Sequence, residues 1–170
     1  WACTHNYDSP GIPGDGYGIM KTTDYATWTG VLRYQDIAGV VHWGAPPAPM
    51  VDGDRPLILN RTLVTGNFFD VLGTRPLLGR LLAPSDEGPG AALVVVLSYS
   101  AWQKQFGGDS GVVGREVRNA YGRERYRVVG VARPGLEYPA AVDVWMPAWQ
   151  PSDNLSVIAL ARLAPNATTR

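Results

Sequence analysis

The sequence predicts an α+β fold with more strand than helix, and three observations lead there. A valine-rich apolar run from Ala91 to Leu97 passes through Ser98 into an amphipathic stretch closed by Gly107-Gly108, which reads as a strand followed by a capped helix. Val112 to Arg118 and Arg123 to Val131 alternate apolar and polar residues, the period of a half-buried strand. Glycine (20) and proline (14) make up one fifth of the 170 residues, so elements must be short and turns frequent. At 45% hydrophobic and 10% aromatic, the chain has enough apolar side chain for a core, which chains of low hydrophobicity and high charge lack.

Taken in order, residues 1–23 are rich in Gly, Pro, Asp and Asn, without an apolar period, and read as an extended leading segment. Thr22-Thr23-Asp24 offers N-caps ahead of Tyr25, Trp28 and Leu32, whose spacing predicts a short helix over about 24–33. Between Ile37 and Thr65, Val40-Val41-His42-Trp43 and Leu57-Ile58-Leu59 predict two or three antiparallel strands. Asp52-Gly53-Asp54 supplies a tight hairpin turn there. Asn67 to Gly73 reads as a turn or two of helix, with Phe68, Phe69 and Leu72 inward and Gly73 as its C-cap. The continuous run to Leu97 marks a strand covered on both faces. In the helix after it, Tyr99, Trp102 and Phe106 share one side. A turn holding Asn119 and Gly122 joins the two alternating segments. Val142 to Met146 and Leu155 to Leu163 complete the strands.

Charge and motifs exclude several classes of function. Lys+Arg and Asp+Glu both number 15, so the basic excess that drives nucleic-acid binding is missing. The densest arginine run (Arg115, Arg118, Arg123, Arg125, Arg127) is interrupted by Glu116 and Glu124 and reads as a solvated strand face. A single cysteine, Cys3, excludes an internal disulfide and any cysteine-cluster metal site. His5 and His42 have no partner at metal-ligand spacing. No nucleophile elbow, phosphate loop or dinucleotide fingerprint is present, and Gly14-Asp15-Gly16-Tyr17-Gly18 is a plain loop. Asp52/Asp54 and Asp86-Glu87 sit in Gly/Pro-flanked turns, where Asp serves backbone hydrogen bonds. No catalytic, cofactor or metal residue is assigned, and no cofactor is expected. The candidate residues are instead core anchors: Phe68, Phe69, Leu72, Trp102, Phe106, Val129 and Trp145.

Several ordered motifs resemble one family. Leu63-Val-Thr-Gly-Asn-Phe-Phe-Asp-Val-Leu-Gly-Thr-Arg-Pro-Leu-Leu-Gly-Arg80 and Val95-Val-Leu-Ser-Tyr-Ser-Ala-Trp-Gln-Lys-Gln-Phe-Gly-Gly-Asp109 resemble the extracytoplasmic domain of MacB/FtsX-type ABC transporter permeases, within the orphan-permease group of acidobacterial type. Val113-Gly-Arg115, Val128-Val-Gly-Val131, Asp143-Val-Trp-Met-Pro147 and Arg162-Leu-Ala-Pro165 continue the series in family order. The resemblance covers about residues 24–165 and implies a MacB-like periplasmic core domain, with two subdomains possible and the porter-like part incomplete. Residues 166–170 would be a truncated C-terminal end, and the start at Trp1 likewise suggests a piece of a longer protein. The Arg118–Gly122 hairpin is one residue longer than the family's usual turn, which predicts a longer loop or a bulge.

The resemblance further implies a non-catalytic domain on the periplasmic side of the bacterial inner membrane, relaying conformational change or meeting substrate and partner proteins. Its partners would be the transmembrane helices of its own parent chain, a cytoplasmic ABC ATPase and a periplasmic protein, with no nucleic acid. Two other readings follow from the residues alone: a periplasmic ligand-binding module using Trp28 or Trp43, and a small carboxylate-dependent hydrolase. The longest apolar run, Ala91 to Leu97, falls far short of the roughly 20 residues a membrane span needs.

Overall fold

The computed structural model describes residues 19–21, 37–41, 47–136, 138, 141–148 and 156–161. Among them are eleven strands: β1 (Ile19–Lys21), β2 (Ile37–Val41), β3 (Ala48–Asp52), β4 (Arg55–Leu59), β5 (Arg61–Val64), β6 (Pro76–Gly79), β7 (Val94–Leu97), β8 (Glu116–Asn119), β9 (Arg125–Ala132), β10 (Val144–Pro147) and β11 (Ser156–Ala161). Two α-helices, α1 (Phe68–Leu72) and α2 (Tyr99–Phe106), and 3-10 turns at Pro84–Asp86 and Ser110–Val112 complete the set. The helix expected over 24–33 lies outside the described residues.

All eleven strands join one mixed sheet in the order β1-β11-β2-β5-β10-β7-β9-β8-β3-β4, with β6 also paired to β9. The pairs β10–β5 and β7–β9 are parallel and the rest antiparallel. Four strands occupy 37–65, one more than the longest expectation, and β5 finds a parallel neighbour rather than only antiparallel ones. Asn60 alone separates β4 at the sheet's end from β5 near its middle. The sheet therefore curls, so that residues of β3, β4, β7, β8, β9 and β10 meet α2 around one apolar cluster.

β7 shows why a run with no alternation is a strand here. Val95 and Leu97 face that cluster with Trp102 and Phe106, while Val94 and Val96 face a second cluster with Phe68, Phe69 and Trp145. All four β7 side chains are buried because both sheet faces are covered. The strand begins at Val94 rather than Ala91. Its exit is fixed by Ser98, whose Oγ accepts from the Ala101 N–H at 3.2 Å, and α2 ends at Gly107 with φ 61°. The Asp52-Gly53-Asp54 turn closes the β3–β4 hairpin with its positive φ on Gly53.

β9 carries a bulge. Its register with β7 passes from Val95↔Val128 to Val96↔Gly130, leaving Val129 without an opposite residue. The extra residue reverses the alternation, so Val128 and Val131, three apart, line the same cluster. Directly after the bulge, on the other edge of β9, β6 presses close, with Gly79 opposite Gly130. A Cβ on Gly130 would overlap the carbonyl oxygens of Arg80 and Leu78. We expect Gly130→Ala to cost about 1–3 kcal/mol by chemical denaturation. A loss within error of zero would show that β6 is free to move away.

Candidate functional site

The described residues build a pair of core clusters, each with aromatic side chains, on the two faces of β7. Phe68, Phe69 and Trp145 are each fully buried. Phe69 meets Phe68 edge-to-face (ring centroids 5.0 Å, 76°) and Trp145 likewise (5.4 Å, 78°), the geometry favoured by aromatic quadrupoles. The Trp145 indole N–H donates to the Tyr138 carbonyl at 3.0 Å, so its polar atom is satisfied inside the core. On the opposite face Trp102 and Phe106 are buried, and the Trp102 indole N–H donates to the Asp109 carbonyl at 2.9 Å. Tyr99 stacks edge-on against Trp102 at 5.7 Å.

Two expected anchors, Leu72 and Val129, pack against the second cluster without being fully buried. Leu72 is only partly buried, and Val71 holds the fully buried position, because α1 is a short helix that turns Phe68, Phe69 and Val71 to the core. Val129 is also only partly buried, since it is the bulged residue; Val128 and Val131 are the fully buried ones.

Polar side chains in the interior serve to join elements. Asn67, at the head of α1, makes no capping bond. Instead its Nδ2 donates to the Ile37 carbonyl at 2.7 Å and its Oδ1 accepts from Thr65 Oγ1 at 2.7 Å. Thr65 Oγ1 accepts in turn from the Gly39 N–H at 2.9 Å. This buried chain of bonds locks β2 to the β5–α1 turn.

The acidic turns resolve in the same way. Asp86 accepts a forked pair of bonds from Arg80 (2.6 and 2.8 Å) and one from the Ala83 N–H (2.9 Å). Burial pushes the Asp86 carboxyl up, but the Arg80 hydrogen bonds, the Ala83 N–H and the arginine's charge outweigh it and hold it below the ordinary carboxylate range. A carboxyl depressed in the folded state adds stability above its unfolded value near pH ~4 and loses it as pH falls through the lower folded value. Melting curves between pH 7 and 2 should therefore show an acid-side loss that Asp86→Asn reduces. An unchanged acid limb in that variant would remove the pair from the account. The backbone role of Asp86 was legible in the turn; its arginine partner, six residues upstream, was not.

Asp52 is bound by Arg115 and Arg55, and Asp54 is exposed. Among the described residues, no three His, Cys, Asp or Glu side chains come together to hold a metal ion. The five arginines of the dense run include Arg125 and Arg127, both exposed and paired with Glu116 on the strand face. Cys3, His5, the Gly14–Gly18 loop, Trp28, His42 and Trp43 lie outside the described residues. No described helix is long and apolar enough to cross a membrane.

The comparisons with known proteins fit this architecture. Solved structures share it, among them the following two. The periplasmic region of MacB from Actinobacillus actinomycetemcomitans is 19% identical with a TM-score of 0.65, the alignment covering 88% of this chain and 67% of that one. The extracellular domain of the noncanonic ABC-type transporter YknZ from Gram-positive bacteria is 16% identical with a TM-score of 0.61, covering 86% and 75%. At such identities the likeness is one of fold. No curated protein matches the sequence. Residues 9–169, however, match a family profile across nearly the whole chain, and by that match the chain belongs to the MacB-like periplasmic core domains, the extracytoplasmic domains of ABC-type transporter permeases.

Proposed function

We propose that this chain works without catalysis, as a stiff body that passes conformational change between the membrane part of its parent permease and a protein or substrate outside. The observation that carries the reading is β7, buried on both faces between two aromatic clusters. Close-packed interiors switch between discrete arrangements instead of deforming smoothly, so such a sheet moves as a unit. Family membership supports the setting: transmembrane helices of the same parent chain, an ABC ATPase on the cytoplasmic side and the domain on the outer side.

The test uses the full-length permease with its ATPase in lipid, spin-labelled at the exposed positions Lys104 and Arg75 on a Cys3→Ser background. ATP should change the distance from either label to the bilayer while leaving the Lys104–Arg75 distance fixed. A domain that stays still through the ATP cycle, or whose internal distance changes, contradicts the proposal.

A further inference from the structure

Among the described residues the β3–β4 hairpin ends the sheet, and its buried residues Met50, Leu57 and Leu59 belong to the same cluster as Trp102, Phe106, Val112 and Val117. Its outer edge carries Pro56, opposite Val51, which removes one donor from the row that another strand would pair with. Laterally the hairpin is held by a short ladder to β8: Met50↔Asn119, Val51↔Arg118 and the Ala120 N–H donating to the Pro49 carbonyl. That ladder is short for a hairpin that contributes three side chains to a core cluster.

A chain of charges supplies the rest. At the hairpin turn, the largely buried Asp52 carboxylate meets Arg115 Nη1 at 3.3 Å and Arg55 Nη2 at 3.5 Å. Arg115 Nη2 reaches Asp109 at 2.6 Å. Asp109 also caps the following 3-10 turn through the Gly111 N–H, and its carbonyl takes the Trp102 indole N–H. Arg55 donates to the Gln105 carbonyl in the last turn of α2 and lies over the Phe106 ring, 5.7 Å from its centroid. That places a cation at the negative end of the helix and on an aromatic face. Arg55 ties the hairpin to the C-terminal end of α2, and Arg115 ties the hairpin turn, 63 residues away at Asp52, to Asp109 just beyond that helix.

We propose that the alternating chain Arg55–Asp52–Arg115–Asp109 is an electrostatic latch that fastens the hairpin over α2, and that the hairpin opens as a flap separately from the central sheet. Arg55, Arg115 and Asp109 are partly exposed, so dissolved salt screens the latch, whereas the apolar contacts beneath are not weakened by it. The flap is a property of this chain alone and stands whether or not the domain relays motion in a permease.

Native-state hydrogen exchange on the 170-residue chain tests it. The Ala120 and Leu57 amides report on the hairpin and the Val95 and Val96 amides on the central sheet. Arg115→Gln should speed hairpin exchange roughly fivefold, the scale of a few partly exposed ion pairs, and leave β7 unchanged. Raising salt to 1 M should do the same to the unmodified chain and add much less to the variant, which keeps only the Arg55 ties. Asp52→Asn should reproduce the effect from the other side, while Arg125→Gln, which breaks only an exposed pair with Glu116, should not. Hairpin exchange unchanged in Arg115→Gln and Asp52→Asn, or acceleration equal in hairpin and β7, would overturn the latch.

Discussion

Trp145→Ala will destabilise the chain by about 3–5 kcal/mol, the range for emptying a buried aromatic site. Trp145 is fully enclosed; its ring is held edge-on by Phe69, and its backbone pairs with both Val96 of β7 and Thr62 of β5. The site cannot collapse cheaply, because those neighbours are fixed by strand pairing on two sides. For a domain of this size the loss corresponds to a fall in Tm of about 6–20 °C. Trp145→Phe retains most of the packing, gives up the bond to the Tyr138 carbonyl, and should fall well short of the alanine loss. Thermal and denaturant melts check both, and an alanine cost under about 1 kcal/mol would refute the packing described for this face.

Trp102→Ala should cost a similar amount, about 3–5 kcal/mol, by a different route. Here the ring seals α2 to the strands, and its N–H bonds the Asp109 carbonyl, which also receives the Val112 N–H. Truncation therefore leaves that carbonyl one partner, and the main loss is apolar contact. Because the two tryptophans occupy opposite faces of the sheet and separate clusters, their costs should add to within about 0.5 kcal/mol when measured with milder Phe replacements. A larger departure would mean that the clusters are coupled through β7 more tightly than their separation implies.

What the sequence made legible was local punctuation. Ser98 before Tyr99 and Gly107-Gly108 after Phe106 delimit α2 because cap and stop each satisfy a backbone requirement nearby in the chain. The same holds for Gly53 in the β3–β4 turn and for Gly73 closing α1 with φ 65°. The sheet order was not legible: β5 and β10 pair across about 80 residues, and a parallel pair leaves no turn to read. The bulge at Val129 was hidden because its neighbours are apolar whichever face they take. Asn67 stands directly before α1, yet its side chain reaches the Ile37 carbonyl, a partner set by tertiary packing that no local pattern shows. In the candidate site the aromatic anchors announce themselves by size, whereas Arg80, Arg55 and Arg115 look like any surface cation until the fold brings a carboxylate to each. The alternation from Val112 also misled, since Val112 lies in a 3-10 turn capped by Asp109 and β8 starts at Glu116.

If the domain moves as a stiff body, the strand at its centre must have no private way of opening. Hydrogen exchange at Val94, Val95, Val96 and Leu97, followed against low concentrations of denaturant, measures this most directly. The predicted result is exchange only through global unfolding, with the opening free energy and denaturant slope of the whole chain. Exchange at these four amides through a cheaper, denaturant-insensitive local opening would contradict the account.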